Sequence, residues 1–242
     1  LCIPGIVDRR IASGKNDPFW QDWFSSVSVC ATGRTSRGRD LVLYVHADNP
    51  LCLPEYVREA CQDENKRVNW AAKISQQEFD RLAVLGLDKE TGQNGDRLVY
   101  AVPHEVLMSA KSGVMSVRDA LVHPQVIPFL GGEERAEQYL ALHQEFFGDE
   151  IGVWHYNDLH KTPVGRPLWL GYVNYFGLNG NVILYGVGRF VGVRHSNGAR
   201  SAQQKISGKT PTLDGIMSTL QGVIPEELLA EAREALKKKY YR

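Results

Sequence analysis

Three side chains capable of acid–base chemistry lie close together in the stretch GVWHYNDLHKTP, residues 152 to 163: His155, Asp158 and His160. An imidazole exchanges protons near neutral pH, and a carboxylate can accept a proton or bind a divalent cation. A straight strand would place His155 and Asp158 on opposite faces. Asn157 and Asp158 together favour a turn, however, and a turn here would let the side chains meet. We therefore predict catalytic roles for His155, Asp158 and His160, with Asp158 as a ligand of Mg²⁺.

A complete metal site would need a further ligand from outside this stretch. His143 is a near candidate in sequence, but it lies four residues after Tyr139 and four before Phe147, on the apolar stripe of a predicted helix. That position favours a core histidine. The stretch is equally typical of a strand that ends in a turn, with Asp158 paired to an arginine.

Charge is unevenly distributed along a chain whose formal net charge is zero. The 55 residues from Leu159 to Leu213 contain no Asp or Glu and seven Lys or Arg, and a second acid-free stretch runs from Trp23 to Arg39. Segregated positive charge of this kind favours an anionic partner. The predicted anion-binding or nucleic-acid-binding residues are Arg34, Arg37, Arg39, Arg189, Arg194, Arg200, Lys205 and Lys209.

Together these features predict a nucleic-acid-binding protein, with metal-dependent, restriction-type cleavage of phosphodiester bonds as its activity if it is an enzyme. Two alternatives stay open. One is an enzyme for a small anionic substrate, with a pocket lined by aromatic residues such as Tyr156 and by Arg189. The other is a non-catalytic protein that binds an acidic partner.

The familiar catalytic and nucleotide-binding signatures are incomplete in this sequence. SGKT at 207–210 resembles the end of a phosphate-binding loop, but Gln203 replaces the required glycine and Pro211 opposes the helix that should follow. No H-E-x-x-H and no G-x-S-x-G pattern occurs. Motifs therefore identify neither a family nor a cofactor.

The predicted fold class is α+β in a single domain, residues 1–242, with a boundary near residue 150 as the alternative. Mixed helices and strands precede an antiparallel meander at about 151–194, and a closing helix runs from Pro225 to about Lys239. Residues 17–29 are predicted as a short helix opened by Asp17 and Pro18. Residues 75–86 are predicted as a helix with Ser75 as its cap.

Cysteine usage and hydropathy bear on the compartment. The four cysteines, Cys2, Cys30, Cys52 and Cys61, form no CxxC pair and are too few for a disulfide scaffold. We expect reduced thiols and a cytoplasmic protein. No apolar run has the length of a membrane span, so no membrane partner is predicted.

Overall fold

The computed structural model describes residues 1–88, 98–156, 158–171 and 177–184. Its described strands form one mixed sheet in the order β5-β2-β1-β8-β9-β7-β6, with the short β3–β4 hairpin attached through β4 to β8. The strands are β1 (Phe24–Arg34), β2 (Asp40–Val45), β3 (Arg67–Val68), β4 (Ala71–Lys73), β5 (Val99–Pro103), β6 (Gly113–Ser116), β7 (Glu150–Trp154), β8 (Val164–Leu170) and β9 (Leu178–Asn179).

Helices cover both faces of this sheet. They are α1 (Ile3–Ile11), α2 (Pro18–Gln21), α3 (Pro54–Gln62), α4 (Gln76–Leu87), α5 (His104–Met108), α6 (Val117–Leu121), α7 (Val126–Leu130) and α8 (Glu133–Phe147), with 3-10 turns at Pro50–Cys52 and Glu64–Lys66. None of the helices in the described ranges is long and apolar enough to cross a membrane.

The central strands β1 and β2 are buried on both sides, so alternate residues enter two separate cores. Cys30, Val42 and Tyr44 pack with residues of α1, α7 and α8. Val29, Leu41 and Leu43 pack on the opposite face with residues of α3 and α4. Helices therefore pack on both faces of the sheet, which leaves its loops and edges as the places where a binding site can form.

Helix α4 is positioned by a capping residue at its start and a glycine near its end. The Ser75 hydroxyl accepts a hydrogen bond from the amide of Glu78, which caps the first turn as predicted. Near the other end, a Cβ placed on Gly86 would lie 3.1 Å from the Cβ of Ala101, so glycine lets α4 approach β5 closely.

The predicted antiparallel meander at 151–194 is wrong. Strand β7 pairs antiparallel with β6 and parallel with β9, while β8 pairs with β1, β4 and β9. Alternation of apolar residues indicates a strand but not its partner, and β8 lies far along the chain from β1. The predicted closing helix lies outside the described residues.

The helix predicted over residues 17–29 is also wrong in its extent. Asp17 does cap a helix, since its carboxylate accepts a hydrogen bond from the amide of Phe19, but that helix ends at Gln21. Strand β1 begins at Phe24. The serines and β-branched residues that follow suit a strand buried between two layers, so tertiary pairing overrides the helical start.

Candidate binding site

The structure gathers a set of aromatic and charged residues around the β3–β4 hairpin. We call this the Tyr156 cluster, and its members are Arg67, Trp70, Tyr156, Asp158, His160 and Arg166. The hairpin, strand β8 and the residues after β7 supply these side chains.

Arg166 lies at the base of the Tyr156 cluster and is 2% exposed. One terminal guanidinium nitrogen donates to the carbonyl of Asn69 at 2.6 Å and the other to the carbonyl of Val182 at 3.3 Å. The guanidinium carbon lies 4.0 Å from the centre of the Tyr156 ring. Its Nε has no hydrogen-bond partner in the described ranges. Because a buried charge must be satisfied by nearby dipoles, Arg166 ties three separate segments together.

Asn69 and Trp70 form the two-residue turn between β3 and β4, with φ of 47° and 59°. A two-residue hairpin turn of this kind needs positive φ at both positions, which asparagine tolerates and for which glycine is preferred at the second. Trp70 occupies that second position, where a large side chain is strained. The Trp70 carbonyl accepts a hydrogen bond from the amide of Leu184 at 2.9 Å, which helps to hold the turn.

Arg67 covers the Trp70 ring, with its guanidinium carbon 3.9 Å from the ring centre. The same guanidinium donates to the carbonyls of Ala60 and Cys61 and contacts the Glu64 carboxylate at 3.3 Å. The half-buried indole is therefore held against a fixed cation, with its outer part open to solvent.

The Tyr156 hydroxyl connects the buried part of the cluster to the surface. It lies 2.6 Å from Nε2 of His160 and 3.3 Å from a carboxylate oxygen of Asp158. Burial raises the pKa of Tyr156 above its ordinary value, and the neighbouring Arg166 opposes that rise only in part. The hydroxyl therefore keeps its proton at neutral pH and can donate it to either acceptor.

The three predicted catalytic residues are not brought together. Asp158 and His160 meet at Tyr156, but His155 is 3% exposed and its Nε2 donates to the carbonyl of Ala110 at 3.2 Å. The His155 ring lies instead beside His123, with 5.7 Å between ring centres. Two of the three residues thus share a site, and their catalytic roles stay a prediction.

Metal ligands are sparse around Asp158. Among the residues that the structure describes, no group of three or more His, Cys, Asp and Glu side chains could hold a metal ion. The carboxylate of Asp158 and the imidazole of His160 are two such groups, joined through the Tyr156 hydroxyl. The Mg²⁺ role of Asp158 stays a prediction without a further ligand in these ranges.

The predicted anion-binding arginines fall into three situations. Arg34 is engaged, because two of its nitrogens donate to both oxygens of Asp40 at 2.6 and 2.8 Å and lower the pKa of that carboxyl. Arg37 and Arg39 lie exposed on the turn between β1 and β2. The remaining five, Arg189, Arg194, Arg200, Lys205 and Lys209, lie outside the described residues.

Sequence reasoning did not assign Arg67, Trp70 or Arg166 to a site. Arg166 was visible only as one of seven cations in the acid-free segment, since its burial depends on the long-range pairing of β8 with β1. The stretch RVNWAAK did hold a usable signal, because asparagine at the centre of a short alternating segment favours a two-residue turn.

No family model matches this chain, and neither does any curated protein. Among solved structures, the chain is similar to one described as showing how the C-type lectin fold accommodates massive sequence variation in Nanoarchaeota. The two are 42% identical, the match covers 80% of this chain and 87% of the other, and the TM-score is 0.69.

This similarity corrects the fold and function expected from sequence. The predicted α+β meander with a closing helix is wrong, because the match is to a C-type lectin fold. The predicted nucleic-acid-binding protein and its restriction-type nuclease activity are wrong as well, because the match is to a protein with a C-type lectin fold. Acid-free segments misled the prediction, since charge segregation along a sequence does not fix the charge of a folded surface.

Proposed function

The chain belongs to the C-type lectin fold proteins, and on that premise we propose that it is a non-catalytic binding protein that recognises another protein through the Tyr156 cluster. The identity of 42% over most of both chains is the observation that carries this proposal. The similar structure is described as accommodating massive sequence variation, which suits a recognition protein whose surface changes while its core persists.

Trp70 gives the proposal its location. Tryptophan, tyrosine and arginine are the side chains that most often dominate protein–protein binding energy, and the Tyr156 cluster holds all three types. Trp70 also occupies a turn position that favours glycine, with a φ of 59°. A large residue in such a strained position points to a role for its side chain rather than for its backbone.

The supporting residues make the surface rigid before any partner arrives. Arg166 and Tyr156 are buried beneath it, and Arg67 holds the indole on its inner side. Ile183, whose neighbour Leu184 donates to the turn, adds a side chain that is 42% exposed. A preorganised apolar centre with a polar rim, here Asp158 and His160, lowers the entropy lost on binding.

The experiment uses photo-crosslinking to find a partner and one substitution to test the site. A photoreactive amino acid replaces exposed Ile183, beside the turn, in one sample and exposed Val122, directly after α6, in another. Proteins that crosslink from position 183 alone are purified, and their affinity is measured by calorimetry for wild type and for Trp70→Gly.

Trp70→Gly is informative because it removes the indole while suiting the backbone of the turn. We expect about a tenfold or greater loss of affinity with unchanged or higher thermal stability. Val122→Ser, a change at a side chain that is 82% exposed, is the matched control and should leave affinity unchanged. Equal crosslinking from both positions, binding to glycans alone, or turnover of a partner would contradict the proposal.

We also propose a cytoplasmic location. Cys2, Cys30, Cys52 and Cys61 are all free thiols in the structure, which suits a reducing compartment. Burial raises the pKa of the Cys30 thiol to about 12, so that thiol stays protonated at neutral pH.

A further inference from the structure

We propose that a second surface, the cleft between the β1–β2 turn and helix α4, binds a short peptide segment in which an apolar side chain is flanked by acidic ones. The cleft has a volume of about 200 Å³. Ala83, Val84 and Leu87 form its apolar wall, and Arg37 and Arg39 form its basic rim. It shares no residue with the Tyr156 cluster.

The turn side of the cleft is fixed against α4. The Asp80 carboxylate accepts hydrogen bonds from the amide of Ser36 at 3.0 Å and from the side chain of Gln76 at 3.1 Å. Gln76 also donates to the carbonyl of Arg34 at 3.0 Å. These bonds attach the β1–β2 turn to α4 at two residues, Ser36 and Arg34. The cleft is therefore formed without a ligand.

The turn is also well ordered within itself. The Thr35 amide donates to the carbonyl of Arg39 at 2.8 Å, and the Arg39 amide donates to the Thr35 hydroxyl at 3.0 Å. Gly38 takes a φ of 80°, which glycine adopts without strain. The backbone from which Arg37 and Arg39 project is therefore held in one conformation.

The apolar wall is unusually open for large side chains on a helix. Val84 is 63% exposed and Leu87 is 41% exposed, three residues apart on the same face of α4. Single exposed apolar residues are ordinary, but two neighbours beside a preformed cleft offer a seat for one apolar side chain of a partner.

The charges on the rim decide which partner fits. Neither Arg37 nor Arg39 forms an ion pair within 4.0 Å of a carboxylate in the described part of the chain, in contrast to Arg34. Among the described residues that line the cleft, Asp80 supplies the one carboxylate. It accepts a hydrogen bond from the Ser36 amide, which lowers the pKa of Asp80, and Arg37 lowers that pKa further. Two cations facing solvent across an apolar wall complement a peptide with acidic and apolar residues side by side.

The probes are fluorescent short peptides in three matched sets: one leucine among Asp and Glu, the same with leucine replaced by serine, and the same with Asp and Glu replaced by Lys. Binding to the full chain is measured by fluorescence polarisation at two salt concentrations. We expect only the first set to bind, with affinity falling as salt rises because the rim charges are exposed.

Two pairs of variants locate that binding. Arg37→Glu with Arg39→Glu should lower affinity about tenfold or more, whereas the same reversal at exposed Arg118 should not. Val84→Ser with Leu87→Ser should lower affinity for the leucine peptide, whereas Val122→Ser should not. Trp70→Gly should leave peptide affinity unchanged, which separates this surface from the Tyr156 cluster.

Several results would overturn the inference. They are the absence of peptide binding, equal binding of the Lys peptides, and binding that survives both pairs of cleft substitutions. Preferential binding of an oligonucleotide that depends on Arg37 and Arg39 but not on Val84 and Leu87 would overturn it too, because it would show a simple anion surface.

Discussion

Two arginines are almost completely buried in the described part of the chain, Arg10 and Arg166, and their surroundings differ in two ways. Arg10 is 1% exposed and uses Nε and both terminal nitrogens, which donate to the carbonyls of Phe19 and Asp22 and to the Tyr139 hydroxyl. Arg166 uses its two terminal nitrogens and leaves Nε unpartnered within those ranges.

The second difference lies in what each arginine touches. Arg10 lies among Trp20 of α2, Phe24 at the start of β1 and Tyr139 of α8, with ring centres 5.3 to 6.0 Å from its guanidinium carbon. Arg166 stacks on Tyr156, whose hydroxyl reaches residues at the surface. One buried cation therefore locks a core, and the other supports a surface.

The largest effect that tests this comparison is expected from Arg10→Met. The change leaves the Tyr139 hydroxyl and two carbonyls without their donor inside a tightly packed aromatic core. We expect a loss of about 4 kcal/mol in the free energy of unfolding, measured by urea denaturation. Arg118→Met, at an exposed position, is the control. A loss no larger than that of the control would show that Arg10 does not lock the core.

Acid should weaken the Arg10 region through His143. Burial, and then the nearby charge of Arg10, lowers the pKa of His143 from 6.5 to about 4. Between about pH 4 and pH 6.5 the unfolded chain binds more protons at His143 than the folded chain does. His143 therefore contributes its full stability above pH 6.5, and that contribution is lost as pH falls toward 4. The contribution is up to about 3 kcal/mol, from about 1.4 kcal/mol per pKa unit.

The contribution of His143 is tested by measuring the free energy of unfolding at pH 7.5 and pH 4.5 for wild type and for His143→Leu. The variant should lose less stability in acid than wild type. It should not become insensitive to pH, because burial also lowers the pKa values of His46 and His123 to about 4. Parallel stability curves for the two proteins would show that His143 is not the group responsible.

Helix α4 and the Tyr156 cluster differ in how far they could be predicted from sequence. Helix α4 was predictable because its signals are local: the Ser75 cap and Glu78 three residues later. The Tyr156 cluster was not, because Arg166 reaches it only through the pairing of β8 with β1 and the turn at Asn69. Asp158 and His160 were selected for their chemistry, and their meeting depends on the hydroxyl of Tyr156, a residue that the sequence suggested only as a strand residue or a pocket-lining aromatic.

Arg166→Met should cost less than Arg10→Met, about 2 kcal/mol in the free energy of unfolding, because fewer hydrogen-bond donors are lost. Its more specific effect is local. The amide of Leu184, which donates to the Trp70 carbonyl, should exchange hydrogen faster, while the amide of Val42 in the central strands keeps its protection. Equal acceleration at both amides would indicate global destabilisation and would remove the distinction between the two arginines.

The smallest effect is expected from Tyr156→Phe, which keeps the ring under Arg166 and removes only the hydroxyl shared by Asp158 and His160. Because that hydrogen-bonded group lies near solvent, the free energy of unfolding should fall by about 1 kcal/mol. Tyr44→Phe is the matched control, since the Tyr44 hydroxyl is completely buried and has no hydrogen-bond partner among the described residues. Removing an unsatisfied buried hydroxyl should leave stability unchanged or raise it. Opposite signs for the two substitutions would show that the Tyr156 hydroxyl stabilises the fold through its contacts with Asp158 and His160. Equal values would show that Tyr156 contributes through the packing of its ring alone.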